Sequence, residues 1–226
     1  MSAAMNRSGG WALVIGPLLA LAFFLVEPGG LLIESADSTD AVASITAKAS
    51  NTALAHLTAL VVPFGLALLL FGFIVLQAGA IREGGGIGAA LLAVVFLGTG
   101  MVVWGITQGL NHPISEIDVS SAESMAVGLA LFEVQSASRV LGGLLVAAGF
   151  LVLGLSPWMR ARSNVLAANG IVVVSLISLV GLVVGLFSVD LRLEGITVSR
   201  ACYFIWVAWS VYLGVQLIKS SADASD

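Results

Sequence analysis

Charged residues are scarce in this chain. Only 10% of its 226 residues are Asp, Glu, Lys or Arg, whereas 59% are hydrophobic, and the mean hydropathy is +1.08. A water-soluble domain carries roughly a quarter charged residues, so the composition excludes a soluble globular protein and indicates an integral membrane protein. The nine Lys and Arg residues are scattered and the net charge is −4, which argues against nucleic acid as a partner.

Cysteine and histidine are almost absent. The single cysteine, Cys202, excludes an intrachain disulfide and a cysteine-based metal site. The sequence also lacks a phosphate-binding loop, a nucleophile beside a base, and paired acids at membrane depth. We therefore predict no cofactor, and the sequence favours a non-enzymatic role.

Long apolar runs predict six transmembrane helices in an all-α fold, because about 20 apolar residues cross a bilayer as a helix. The predicted spans are residues 11–27, 57–78, 87–110, 139–158, 165–188 and 200–218. Short turns, one of them containing the glycines at 84–86, predict three antiparallel hairpins in a single membrane domain over residues 1–226. Arg7 before the first apolar run is also typical of a signal peptide, but no cleavage site follows, so we interpret this run as an uncleaved span.

The distribution of basic residues favours one orientation. The termini and the turns after spans two and four contain the basic residues nearest the predicted membrane ends, namely Arg7, Arg82, Arg160, Arg162 and Lys219. The other three loops are mainly acidic. The positive-inside rule therefore predicts cytoplasmic N- and C-termini and outer acidic loops, in the plasma membrane, which is the inner membrane of a bacterium.

Two moderately polar outer segments precede spans two and four, at about residues 39–55 and 121–138. Thr39 and Asp40 are predicted to cap the first, and Ser120 with Glu123 has the spacing of a capping box for the second. Neither segment contains a helix breaker before the span that follows. We expect helices two and four to extend beyond the membrane, or to bend near Leu54 and Ser138.

Polar residues at the predicted outer rim form one candidate ligand-binding cluster. Strongly polar side chains at membrane depth are costly, so each is a functional candidate by default. Spans two, three and four bring such residues to the same end of the bundle. The candidates are His56, Gln108, His112, Glu133, Gln135 and Arg139.

The two histidines suit metal chemistry. Neutral imidazoles on neighbouring helices are the axial ligands that a haem b needs. With Glu133 or Glu116, His56 and His112 could instead hold a transition metal such as zinc or copper. A haem- or metal-binding redox protein is therefore one alternative function.

A second alternative is a protein that binds or transports a quinone, a lipid or another small molecule between its helices, with Arg139 or Arg200 facing an anionic group. The polar cluster could also simply tie the outer loops to the bundle. The leading hypothesis from sequence is an accessory subunit or scaffold of a membrane assembly, because no transporter, channel or enzyme signature accompanies the sizeable polar outer face. Its expected partners are the lipid bilayer and other membrane subunits or a second copy of the chain.

Overall fold

Six long helices dominate the computed structural model, which describes residues 3–37, 39–83 and 87–223. They are α1 (Ala3–Leu25), α3 (Thr52–Arg82), α4 (Ile87–Gly109), α6 (Ala122–Leu155), α8 (Val165–Phe187) and α9 (Arg192–Asp223). The shorter elements are α2 (Ala41–Ser50), α5 (Asn111–Ser115), α7 (Pro157–Arg162) and a 3₁₀ turn (Val189–Leu191). All six long helices are long and apolar enough to cross a membrane, which confirms the predicted all-α, six-span bundle of a multi-pass membrane protein.

The long helices form a closed ring in chain order. Each packs against the next, and α9 packs against α1 to close the ring. Gly10 of α1 contacts Ile218 of α9, so both termini lie at one end of the ring, which we call the terminal end. The opposite end, where α2 and α5 lie, is the distal end. The glycines predicted to form a turn at 84–86 lie outside the described residues.

Apolar side chains fill the ring and also cover its outside. At the centre, the rings of Phe150 and Trp206 are stacked with centroids 5.0 Å apart, and Phe73 meets Phe150 edge-on. On the outside, Phe187 and Leu166 are 88% and 78% exposed. A helix in water would present a polar outer face, so these outer surfaces suit contact with lipid.

Glycine allows α1 and α3 to lie in direct contact. A Cβ atom added at Gly65 would lie 2.8 Å from the backbone nitrogen of Ala20 and 2.8 Å from the carbonyl oxygen of Gly16. These are backbone atoms, which cannot rotate out of the way. The contact between the two helices therefore depends on the absence of a side chain at this position.

The first predicted outer segment is a separate helix. Asp40 caps α2, since its side chain accepts a hydrogen bond of 2.9 Å from the backbone N–H of Ala43, as predicted. The chain leaves helical geometry at Asn51 (φ −125°, ψ 45°) before α3 begins. The break thus falls three residues before the predicted bend at Leu54.

The second predicted outer segment is part of one long helix. The helix α6 runs uninterrupted from Ala122 to Leu155, so it begins well before the predicted start of the fourth span at residue 139. Its cap is Ser121, whose hydroxyl accepts from the backbone N–H of Ser124 at 3.3 Å. The predicted cap, Ser120, instead donates to Asp118 at 2.7 Å, because the Asp118 carboxylate closes a turn just before the helix.

The helix that contains the last predicted span also begins before that span. The helix α9 starts at Arg192 rather than near residue 200. Its first turns pack against α8, where Gly195 meets the backbone of Gly181 directly. Tertiary packing therefore supports a polar helical segment that hydropathy alone assigns to a loop.

We expect Gly65→Ala to destabilise the protein by about 1–3 kcal/mol, because the added methyl group overpacks a backbone contact. The matched control is Gly79→Ala in the same helix, where an added Cβ meets nothing within 4 Å. This control should be neutral or stabilising by up to about 1 kcal/mol, as alanine favours helix over glycine. Thermal unfolding in detergent with a thiol-reactive dye measures both, since the single thiol, Cys202, is buried. Equal stabilities of the two variants would contradict the close packing.

Candidate functional site

A buried ion pair lies at the distal end of the ring. The Oε1 atom of Glu27 is 3.6 Å from Nζ of Lys48 and 3.8 Å from Nη2 of Arg139. Glu27 and Lys48 are only 3% and 2% exposed. Three segments of the chain, the loop after α1, the helix α2 and the helix α6, thus meet at one carboxylate.

A tight turn after α1 places Glu27 inside the protein. Gly29 has a φ of +74°, a conformation that L side chains rarely adopt, and its N–H donates to the carbonyl of Ile33 at 2.9 Å. A Cβ added at Gly29 would lie 3.2 Å from Cα of Ser44 in α2. The sequence Glu-Pro-Gly-Gly therefore turns the chain directly beneath α2 and leaves the carboxylate pointing inward.

The helix α2 covers the distal end as a lid. Its buried residues are Ser44, Ile45, Ala47 and Lys48, which share one face because helical residues three and four apart are neighbours. Ile45 packs with Ile114 of α5 and Phe132 of α6 in a small apolar cluster. This packing fixes the face on which Lys48 lies and so brings the ammonium group to Glu27.

Buried amide side chains connect Glu27 to α6. Gln108 donates to the Glu27 carboxylate at 3.4 Å, and Asn111 donates to the Gln108 carbonyl oxygen at 3.0 Å. Gln135 then donates to Asn111 at 2.7 Å and to the backbone carbonyl of Thr107 at 2.9 Å. These bonds hold the Glu27 carboxylate in one position between α4, α5 and α6.

The surroundings keep Glu27 ionised. Burial by itself raises the pKa of its carboxyl, but the charges of Lys48 and Arg139 and hydrogen bonds from Asn111 and Gln108 outweigh burial, so the pKa lies below its ordinary value. Burial lowers the pKa of Lys48, while the negative charge of Glu27 opposes that change. The positive charge of the buried Lys48 therefore depends on the ionised carboxylate of Glu27 beside it.

A cavity of about 80 Å³ lies inside the ring, next to this ion pair. Every long helix contributes to its wall, for example through Phe24, Leu66, Trp104, Arg139, Leu182 and Tyr203. Arg200 of α9 also lines it. Within the described part of the chain, the buried Nε atoms of Arg139 and Arg200 have no hydrogen-bond partner. Two guanidinium groups therefore border an otherwise mainly apolar cavity with unused donors.

Positive charge exceeds negative charge around this cavity. Glu27, Lys48, Arg139 and Arg200 all border a smaller adjoining void of about 10 Å³, and three cations with one anion leave two positive charges. Asp37, on the exposed loop before α2, also interacts electrostatically with Arg200. Even when Asp37 is included, one positive charge in the described cluster stays uncompensated.

The two histidines meet at a separate, more exposed place on the distal end. Nδ1 of His112 lies 2.7 Å from Nε2 of His56, and the same Nε2 atom lies 3.0 Å from Oε1 of Glu116. The three ligand atoms all lie within 4.8 Å of one another. Glu133, one of the two acids that the sequence offered beside the histidines, instead lines an outer groove between α6, α8 and α9 together with Arg192.

This geometry does not suit a haem. Trans imidazole nitrogens on one iron are separated by two metal–nitrogen bonds, roughly 4 Å in total, and the porphyrin ring lies between them. His56 and His112 are in direct contact at 2.7 Å, with ring planes at 85°. The arrangement fits a small ion held from one side better than a porphyrin.

Known proteins offer no guide to this site. The chain matches no family model, no curated protein and no solved structure.

The structure divides the predicted cluster into two sites. Gln108, Gln135 and Arg139 belong to the hydrogen-bonded surroundings of Glu27, whereas His56 and His112 belong to the exposed site. Glu133 is in neither of these contact sets.

Sequence reasoning missed Glu27 and Lys48, the two most buried charges among the residues that the structure describes. A signal for Glu27 was its place directly between an apolar span and a Pro-Gly-Gly turn. A signal for Lys48 was its position three residues after Ile45 in a short capped helix, which puts both residues on one face.

We expect Glu27→Gln to destabilise the protein by about 3–5 kcal/mol, because Lys48 would stay buried without its counter-ion. Glu27→Gln combined with Lys48→Met should recover part of this loss, since neither charge then needs a partner. Glu34→Gln, at an exposed loop position, is the matched control and should have little effect. Denaturant unfolding in detergent measures all three, and a double variant no more stable than Glu27→Gln would show that the loss does not come from an unpaired Lys48.

Low pH should destabilise the folded protein, partly because it protonates Glu27. The pKa of Glu27 in the folded protein lies below its ordinary value of 4.5. The contribution of the Glu27 charge to the stability of the fold is therefore complete above pH 4.5 and disappears as the pH falls through the folded-state pKa. The stability difference between the natural protein and Glu27→Gln should therefore shrink as the pH falls below about 4.5. Unfolding curves of both proteins at acid pH test it, and a difference that grows as the pH falls below about 4.5 would contradict the assignment.

Proposed function

We propose that this membrane protein binds an anionic, amphipathic molecule, with the acidic head beside Arg139 and Arg200. The observation that carries the proposal is the pair of guanidinium groups with unpartnered Nε atoms, within the described chain, on the wall of an internal cavity. Guanidinium groups bind carboxylates and phosphates through paired hydrogen bonds. An acidic head would satisfy both donors at once.

Charge balance supports an anion at this place. An uncompensated charge taken out of water costs several kcal/mol, and the described cluster contains at least one positive charge more than its carboxylates neutralise. The ion pair of Glu27 with Lys48 holds one carboxylate away from Arg200, which forms no ion pair of its own within the described chain. A bound anion would complete the balance.

The walls of the cavity support an apolar body on the same ligand. Phe24, Trp104 and Tyr203 line it, and Tyr203 meets both of the other rings edge-on. Leu182 and Ile196 are shared with the outer groove between α6, α8 and α9. We infer that an acyl or isoprenyl chain leaves the cavity through this groove toward the lipid, while its carboxylate or phosphate stays inside.

The proposed orientation places the site near the outer surface. The basic residues predicted to be cytoplasmic, such as Arg7, Arg82 and Lys219, lie toward the terminal end, and the positive-inside rule favours that end for the cytoplasm. The distal end with its ligand would then face the outside of the plasma membrane. An accessory role in a larger assembly stays a prediction, and its original basis, a lack of buried chemistry, is weaker beside this charged interior.

We expect the purified protein to bind oleate and lysophosphatidic acid and to bind oleyl alcohol much more weakly. Arg139→Gln and Arg200→Gln should each weaken binding of the acids by at least about tenfold, because a hydrogen bond to a charged group is worth about 1.5–3 kcal/mol. Quenching of tryptophan fluorescence by a brominated fatty acid measures this binding, since Trp104 lines the cavity. The experiment uses a neutral detergent.

Two further variants separate ligand binding from folding. Arg82→Gln, an exposed position at the terminal end, is the matched control for charge and should bind like the natural protein. Ile196→Phe keeps both buried arginines and adds no tryptophan, but it fills the junction of the cavity and the groove, so it should also lose binding. Unchanged affinity in Arg139→Gln and Arg200→Gln, or equal affinity for oleate and oleyl alcohol, would overturn the proposal.

A further inference from the structure

Three ligand atoms converge at the exposed end of α3 and α5. They are Nε2 of His56, Nδ1 of His112 and Oε1 of Glu116, all within 4.8 Å of one another. His112 and Glu116 are four residues apart across the single turn of α5, so they share a face, and His56 lies in the second turn of α3. This group is separate from the cavity of Arg139 and Arg200.

The short helix that carries two of these ligands is firmly anchored. Asn111, Ile114 and Ser115 of α5 are buried, and Asn111 is hydrogen-bonded to Gln135 at 2.7 Å. The hydroxyl of Thr52, at the start of α3, donates to the carbonyl of Ser115 at 3.3 Å. The backbones that bear the three ligands are thus fixed relative to each other before any ion binds.

Hydrogen bonds among these three side chains leave their ligand atoms poorly satisfied. Nε2 of His56 faces both the Nδ1 atom of His112, at 2.7 Å, and the carboxylate of Glu116, at 3.0 Å. A neutral imidazole nitrogen carries at most one hydrogen. If that hydrogen is present, two acceptors compete for it, and if it is absent, a lone pair faces a carboxylate. A cation placed between the three atoms would accept a lone pair from each of them.

We propose that His56, His112 and Glu116 form a binding site for a divalent transition-metal ion of the zinc class. Two imidazoles and one carboxylate are a ligand set that zinc accepts with water in the fourth position, whereas magnesium and calcium prefer oxygen ligands alone. Tetrahedral ligands 2.0–2.1 Å from zinc lie roughly 3.3 Å apart. Nε2 of His56 lies 2.7 Å from His112 and 3.0 Å from Glu116, so it needs to move away from each by only about half an ångström or less. The third pair of ligand atoms lies within 4.8 Å. The side chains of His56 and Glu116 are 37% and 57% exposed, which gives an ion access from solvent.

The bound ion would join α3 to α5 at the distal end. The helix α5 also carries Asn111, which connects Gln135 to Gln108 and so to Glu27. The bound ion would therefore stabilise the folded state by mass action. It would do so at α5, the helix that helps to position the buried carboxylate of Glu27.

Titration of the purified full-length chain with Zn²⁺ and with Co²⁺, after treatment with a chelator, tests the site. We expect one equivalent to bind, with Co²⁺ giving the visible absorption of a low-symmetry four-coordinate ion, and metal to raise the unfolding temperature reported by Cys202. His56→Ala and His112→Ala should each weaken binding by at least about tenfold, since even supporting groups of a metal site are worth about 10–100-fold. Glu116→Gln should weaken it as well.

Glu133→Gln is the matched control, because this acid lies in the outer groove and should bind metal like the natural protein. Unfolding of the metal-free variants shows that they fold, which is expected because His112 and Glu116 are exposed and His56 is only partly buried. Absence of stoichiometric binding by the natural protein would overturn the site. So would unchanged affinity in His56→Ala and His112→Ala, or a loss in Glu133→Gln equal to that in Glu116→Gln.

Discussion

The buried carboxylate of Glu27 is the point on which the distal half of this molecule depends. It accepts contacts from the lid helix through Lys48, from α6 through Arg139 and from α4 through Gln108. A charge without water is tolerable only when counter-ions and hydrogen bonds surround it. The need to surround this one carboxylate explains why a polar network crosses the interior of a bundle that is otherwise apolar.

The same network gives the interior its excess of positive charge. Lys48 pairs with the Glu27 carboxylate from the lid side, and Arg200 forms no close ion pair among the described residues, although the exposed Asp37 interacts with it electrostatically. A structural ion pair would be complete with one cation. The additional arginines beside a cavity are the basis of our proposal that an anion enters from elsewhere.

The sequence predicted the helical bundle well, because apolar runs of spanning length leave few alternatives in lipid. It also brought Gln108, Gln135 and Arg139 to the same end, since helical spacing and antiparallel connection fix depth. It missed Lys48, which hydropathy assigns to a polar loop, and it left open whether Glu133 or Glu116 accompanies the histidines. Span boundaries predict only how deep a residue lies in the membrane. Residues at the same depth can still lie on different sides of the ring.

The sequence by itself determined the number of spans and that lipid, not water, surrounds the protein, because the hydrophobic content of each run decides whether it crosses a bilayer. The rotation of each helix about its axis was decided by tertiary packing. Two contacts fix which faces turn inward: Gly65 against Gly16, and Ile45 of the lid helix α2 against Phe132 of α6. Helices as uniformly apolar as these carry no amphipathic signal for that rotation, so only the closed ring could separate an internal arginine site from an exposed histidine site.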